Sequence, residues 1–353
     1  MNLIRVMPAQ GREERTVLRT AIALLALVTA GCSLATEQQP QQTGQQGQQP
    51  VTLVTHDSFA VRKELLDEFQ KTSGIKVEVR KSGDAGALTN QLVLTKANPI
   101  GDIAYGVDST FASRALNENV FQPYEAQGAN KRYQLDATNR LTAIDIGDVC
   151  VNVHTSGLKG VAEPTTFEDL ADPKYKDMLV VESPATSSPG LAFLLGTILH
   201  FGEDGWQGYW TRLKANGVKV VSGWEEAYNQ EFSGTGKGTR PLVVSYASSP
   251  AATPDTKALL ETCYRQVEYA GVLQGAKNPE GAKKVLDFML SQQFQAEVPD
   301  QMYVYPAREG VSLPEAWQKS APMPTDVEAT LPAQDVDRNR ENWVNQWRSL
   351  VQG

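Results

Sequence analysis

The chain has 353 residues, a net charge of −8, 41% hydrophobic residues and 21% charged residues. It is globular in composition and long enough for two lobes of ordinary size. Its acidic balance, with no cluster of Lys and Arg beyond Arg19, excludes a nucleic-acid-binding surface, which needs a basic face. The first element is not part of the fold. Arg5, Arg12, Arg15 and Arg19 precede a short apolar core from Ala21 to Ala30. That core is too short for a stable spanning helix and reads as an export signal over residues 1–31.

The signal ends in Leu27-Val-Thr-Ala-Gly-Cys32, which resembles the lipobox of bacterial lipoproteins, with Thr29 where Leu is usual. The resemblance implies cleavage before Cys32 and lipid attachment to its sulfur, so that buried methylenes hold the protein to a membrane. The alternative is an ordinary secretory signal with a chance Cys. Either way the protein is exported: lipid-anchored at the outer face of the cytoplasmic membrane, or periplasmic. Residues 32–50 are expected to be a disordered tether, because Glu37 to Pro50 is dominated by Gln and buries too little apolar area to order itself. Two cysteines remain in the body, Cys150 and Cys263. In an exported protein they read as a disulfide, with two buried free thiols as the alternative.

The body opens on a buried strand, Val51–Thr55. A helix from Phe59 to Thr72 follows, with Val61, Leu65, Leu66 and Phe69 at helical spacing and Gly74 as its stop. Then come a strand at Ile75–Val79, a helix at Leu88–Lys96 and a strand at Asp102–Val107. This alternation builds a mostly parallel sheet with right-handed crossovers. Further strands are expected at Val149–Val153, Met178–Val181, Val218–Val221 and Pro241–Tyr246. Helices are expected at Thr166–Leu170 with Thr166 as cap, from Leu191 after the Ser183–Gly190 turn, and over Trp206–Asn216 and Trp224–Phe232. The last two helices are Ala282–Leu290 and Gln334–Val351, the latter with a packing stripe of Val336, Arg340, Trp343 and Trp347. The pattern gives two α/β lobes. Lobe 1 takes residues 51–145 and 269–310, lobe 2 takes 146–268, and 311–353 is a C-terminal helical segment.

Ligands in open α/β sheets bind beyond the carboxyl ends of strands. Those ends hold His56, Asp57 and Ser58; Ser82 to Gly86 with Asp84; Asp108 and Ser109; Thr186 to Gly190; Gly223 to Tyr228; Ser245 to Pro250; and Pro299 to Pro306. Aromatic rings, carboxylates and hydroxyls together suit a flat cation with a polar or phosphorylated tail. Ring faces attract a delocalised cation, carboxylates accept from an exocyclic amine, and hydroxyls with helix-terminal N–H groups take the tail. Simpler roles stand beside these. Ser187 or Ser188 is an ordinary helix cap, Asp57 and Asp108 cap the helices after them, and Trp224 is core. Glu225 and Glu226 complement a helix dipole, Tyr305 is buried, and His154 and His200 are structural.

Thr55-His-Asp-Ser-Phe59, Thr186-Ser-Ser-Pro-Gly190, Gly223-Trp-Glu-Glu-Ala-Tyr228, Val244-Ser-Tyr-Ala-Ser-Ser-Pro250 and Tyr305-Pro306 resemble, in the same order, the thiamine-binding periplasmic proteins of ABC importers. The likeness runs over about residues 51–350. It implies a type II periplasmic-binding-protein-like fold, α/β, with two mostly parallel, helix-flanked lobes joined by a hinge and closing over thiamine, its monophosphate or its diphosphate. Carried over position by position, it implies that Tyr246 and Tyr303 stack on the ligand rings. Trp224 and Ser187, with Ser248, line the phosphate or hydroxyethyl end, and Asp84 accepts from the aminopyrimidine. His56 stands where familiar members carry a stacking Tyr, with Asp57 beside it, and Tyr303 stands where they carry Trp. The implied partner is the permease of the importer, the implied state a monomer, and no cofactor or metal is called for. An iron(III) carrier of the same architecture is the alternative, although Tyr246 is followed by Ala247 rather than the second Tyr such carriers tend to use. An enzyme is not expected. The chain has no Gly-x-Ser-x-Gly elbow, no His-Glu-x-x-His and no Gly-x-x-x-x-Gly-Lys.

Overall fold

The computed structural model describes residues 49–135, 137–325 and 330–353. The expected signal peptide, the lipid attachment at Cys32 and the tether as far as residue 48 lie outside the described residues. In chain order the elements are β1 (Val51–Thr55), α1 (Lys63–Ser73), β2 (Val77–Lys81), α2 (Ala85–Leu94), β3 (Ile103–Asp108), α3 (Ala112–Asn117) and β4 (Thr142–His154). Next are α4 (Phe167–Leu170), β5 (Leu179–Glu182), α5 (Ser188–Ala215), β6 (Lys219–Val221), α6 (Trp224–Glu226) and β7 (Leu242–Tyr246). The chain ends with β8 (Thr256–Val272), α7 (Pro279–Met289), α8 (Gln292–Met302), β9 (Tyr305–Pro306), α9 (Glu315–Ser320) and α10 (Ala333–Val351).

The strands run β2-β1-β3-β8-β4-β7-β5-β6, with β9 paired to β4. Each flank is parallel: β1 with β2 and β3, and β5 with β6 and β7. Between them β4 and β8 form a long antiparallel pair from Thr142↔Ala270 to His154↔Thr256. The result is the expected two-lobed α/β arrangement, each lobe a parallel sheet under helices. Cys150 of β4 and Cys263 of β8 are joined by a disulfide, with Cα atoms 4.2 Å apart.

Several boundaries differ from the expectation for physical reasons. α1 starts at Lys63, not near Phe59, because the Asp57 carboxylate accepts from the Gly83 N–H at 2.9 Å instead of capping a helix. Phe59 is turned inward against Tyr105, ring centroids 5.4 Å apart. The run from Leu191 and the segment Trp206–Asn216 belong to one helical path, interrupted at Gly202, whose φ of 70° departs from the helix. After Glu226 the predicted helix widens into a π turn over Ala227–Glu231. The longest strand, β8, and the helix α8 had no sequence counterpart. Half of β8 carries charged and polar residues outward, which hides its buried alternation.

The C-terminal stripe is buried as expected. Trp347 sits edge-on to Trp210 of α5, centroids 5.4 Å apart, and the Trp343 indole donates to Glu203 at 3.1 Å. α10 also reaches α3 through Arg114–Glu341 and Asn117–Asp337.

Candidate functional site

The carboxyl ends of the strands meet at two adjoining cavities that share Ser58, Asp84 and Trp224. The inner one is narrow, about 20 Å³. The outer one holds about 390 Å³ and is edged by Asp57, Gly83, Thr186, Ser222 and Gly223.

Aromatic side chains wall the inner cavity. Trp224, at the first position of α6, stacks on Tyr228 at 4.9 Å and 14°, and its indole N–H donates to Ser245 Oγ at 2.9 Å. Tyr246, the last residue of β7, lies 6.4 Å from the Trp224 ring, and its hydroxyl accepts from Gln266 at 3.4 Å. Both are 8% exposed. Met302 and Val304 complete this wall, one on each side of Tyr303. Tyr303 itself ends α8 in the left-handed region, φ 58°, half-buried and outside the cavity lining. Its carbonyl accepts from Ser248 Oγ at 2.5 Å, which ties the two loops together.

The floor is acidic. Glu268 of β8 lies in register between Asp108 of β3 and Asp145 of β4, so three carboxyl groups cross three adjacent strands. All three are buried. The Tyr105 hydroxyl bonds both Asp145 at 2.5 Å and Glu268 at 2.8 Å. His56, just past β1, reaches Glu268 Oε2 with Nε2 at 3.2 Å. Gly106, φ 103°, makes room for that ring, since a Cβ there would fall 2.1 Å from His56 Cδ2. Burial alone would lower the proton affinity of His56, but the charge and hydrogen bond of Glu268 outweigh it and raise its pKa, with Asp84 adding to this. Burial pushes Glu268 up, and His56, Tyr105 and Asp145 overcome that and hold it below the usual carboxylate range. Asp145 is pushed well up by burial and then by Glu268. Asp108 is raised to about 7, chiefly by burial. A carboxylate pair at close range keeps one proton between them, so Asp145 and Glu268 share one negative charge, and it faces the protonatable His56 ring.

Asp84 organises the join between the cavities. It caps α2, accepting from Ala85 N at 2.6 Å, and also accepts from Trp224 N at 2.9 Å and Ser188 N at 3.3 Å. Three backbone N–H groups at helix starts therefore converge on one carboxylate; burial nonetheless outweighs them and holds its pKa above the usual carboxylate value. Gly223 permits it, because a Cβ there would meet Asp84 Oδ2 at 2.8 Å. Ser187 is the N-cap of α5, its oxygen facing Gly190 N at 3.5 Å, and it is fully buried. The hydroxyl that reaches the outer cavity from this turn is Thr186, which donates to Ser222 O at 2.7 Å.

Of the eight expected ligand residues, His56, Asp84, Trp224 and Tyr246 line the inner cavity and Asp57 the outer one, whereas Ser187, Ser248 and Tyr303 stand behind the walls. Glu268, Asp145, Met302 and Val304 were not singled out from the sequence. The acids lie within strands rather than at strand ends, and the two apolar residues look like core. Asp108 caps the turn after β3, accepting from Thr110 N at 2.5 Å. Tyr305 is buried and donates to Ala321 O. His154 contacts Ser233 at 2.8 Å and Asp255 at 3.4 Å, and His200 contacts Glu168 at 2.8 Å; neither lines either cavity. Among the described residues no group of three or more His, Cys, Asp or Glu side chains is arranged to hold a metal ion.

Two parallel lobes linked by antiparallel strands, with an aromatic and acidic cleft between strand ends, define an exported solute-binding protein of the type II periplasmic class. The model for bacterial extracellular solute-binding proteins matches residues 98–329, and the chain belongs to that family. The thiamine-binding periplasmic protein of Brucella suis is 30% identical over 317 residues, 86% of this chain and 92% of that one. A solved periplasmic thiamin binding protein superposes with a TM-score of 0.75 at 26% identity, covering 86% of this chain and 96% of its own. Iron-bound HitA from Pseudomonas aeruginosa shares the fold at a TM-score of 0.68 and 19% identity, covering 85% and 99%.

Proposed function

We propose that this protein is a receptor that captures thiamine or its phosphate esters outside the cytoplasm and delivers them to the permease of an ABC importer, catalysing nothing itself. The observation that carries this is the pairing of the Trp224 and Tyr246 walls with Asp84 and Glu268 in the same cavity, Glu268 being in register with the buried Asp108 and Asp145 of the strands beside it. A flat, permanently charged ring gains from both: the ring faces attract it and the floor neutralises it in a dry site. The outer cavity, edged by the Thr186 hydroxyl and by Ser222, suits the hydroxyethyl end, whereas its carboxylates Asp57, Asp84, Glu225 and Glu226 oppose a phosphate there.

In this reading lobe 1 is 51–145 with 269–310 and lobe 2 is 146–268, so the chain passes between lobes within β4 and near the end of β8. Closure is favoured by whatever the ligand touches in both lobes. A lipid on Cys32 and the Gln-rich tether hold a monomer near its permease. The iron(III) reading is weaker, since Tyr246 has Ala247 beside it rather than a second Tyr.

Native mass spectrometry of protein purified without refolding tests this. The expected result is a bound mass equal to thiamine or one of its phosphates, or the same complex after thiamine is added. A different carried solute, bound iron, or no complex with added thiamine overturns the reading.

A further inference from the structure

A second cavity of about 270 Å³ opens between α10, α3 and the turn after β5, and shares no lining residue with the two cavities of the cleft. Three of its lining side chains are guanidinium groups: Arg114 of α3, and Arg340 and Arg348 of α10. Arg340 and Arg348 are eight residues apart with Val344 between them, so they share one helix face. Arg340 is 7% exposed, and its Nε has no hydrogen-bond partner. The nearest carboxylate to it is Glu341 at 3.9 Å, which is 71% exposed and already accepts from Arg114 at 3.0 Å. The Arg340 guanidinium also lies over the face of Phe111, 5.4 Å from its carbon, and feels Asp337 and Asp108 from beyond ion-pair distance.

Three cations therefore face one exposed carboxylate, and one of the three is buried without a hydrogen-bonding anion. A buried charge without such a partner is strongly destabilising. Burial and the nearby Arg114 also lower the proton affinity of Arg340, which is the mark of an uncompensated cation. Guanidinium groups present a planar fork that matches phosphate-type oxygens in two parallel hydrogen bonds. The side-chain amide of Asn90 at the rim adds both a donor and an acceptor.

We infer that this cavity is a second binding site, for a small tetrahedral oxyanion of the phosphate or sulfate type, held by Arg340, Arg348 and Arg114. The anion would join α3 to α10 across the gap that Arg114–Glu341 now spans. The inference does not rest on the identity of the solute in the cleft.

The test is calorimetric titration of the full chain, as purified, with inorganic phosphate and, separately, sulfate, in chloride at about 0.15 M to screen diffuse attraction. The expected result is saturable binding of one anion per chain. Arg348→Ala weakens it about tenfold, the loss of one charge-assisted contact, and Arg348→Glu abolishes it. Both variants titrate with thiamine like the parent. Arg348 is exposed, so neither change threatens folding, whereas Arg340 is buried in the helix packing and Arg340→Met serves only as an additional variant. Binding of both anions marks a general oxyanion site; binding of phosphate alone marks one in which a protonated phosphate also donates to Glu341. Absence of saturable binding at millimolar anion, or binding indifferent to both Arg348 variants, overturns the inference.

Discussion

His56 and Glu268 shift each other's titration in opposite directions, and the signs fix a pH response. The raised His56 pKa contributes stability that is full below its unfolded value and is lost as pH rises through the folded one. The lowered Glu268 pKa contributes stability present above its unfolded value and lost as pH falls through the folded one. The pair is thus strongest between the two. A proton on His56 also sets a positive charge beside the site proposed for a cationic ring. Thiamine affinity is expected to fall on acidification through the His56 transition, which lies above the ordinary imidazole value of about 6.5, in a calorimetric series run downward from the alkaline side, and His56→Phe is expected to flatten that fall. An unchanged slope in the variant contradicts the assignment. At this scale the sequence was informative about residues at strand ends: His56, Asp84, Trp224 and Tyr246 are where loop reasoning put them. It was silent on Glu268, because a carboxylate within a strand shows its role only when neighbouring strands bring Asp108 and Asp145 beside it. It also could not foresee that both hydroxyls would be spent on backbone groups, Ser187 on Gly190 in its own turn and Ser248 on Tyr303 in a distant loop.

The elements that matter most for the cleft are β4 and β8, which carry Asp145 and Glu268 and are tied by Cys150–Cys263. The disulfide encloses 113 residues of sequence separation, which in the unfolded chain is a long loop whose entropy the cross-link removes. Replacing both cysteines by Ala is expected to lower unfolding free energy by about 2–5 kcal/mol, measured by urea denaturation. An unchanged midpoint and slope would show that the cross-link does not constrain the unfolded state. Short parallel strands and the helices after them were legible because alternation and 3.6-residue spacing are local. β8 was not, because exposed Lys257, Leu260 and Glu261 break the two-residue alternation in its first half and its pairing with β4 is set by the tertiary fold. The shifted start of α1 has a similar cause: Asp57 had a competing partner, Gly83, in a distant loop.

At the scale of the molecule, the inner cavity is too narrow for a ring the size of the aminopyrimidine or the thiazolium, while the outer one is open to about 390 Å³. In the proposed reading a solute enters as the two flanks part, and β4 and β8 are the strands that link them. The ligand charge would then be met on those strands, by Glu268 and Asp145, and its rings by Trp224 and Tyr246 of the other flank. Binding energy and closure are coupled through these contacts. The measurement that bears most directly on this account is calorimetric titration of thiamine into the parent, Trp224→Ala and Tyr246→Ala proteins. The account predicts that the parent binds and that each variant binds more than tenfold more weakly, a loss of about 1.4 kcal/mol or more. A parent that does not bind thiamine, or two variants that bind like it, would contradict it.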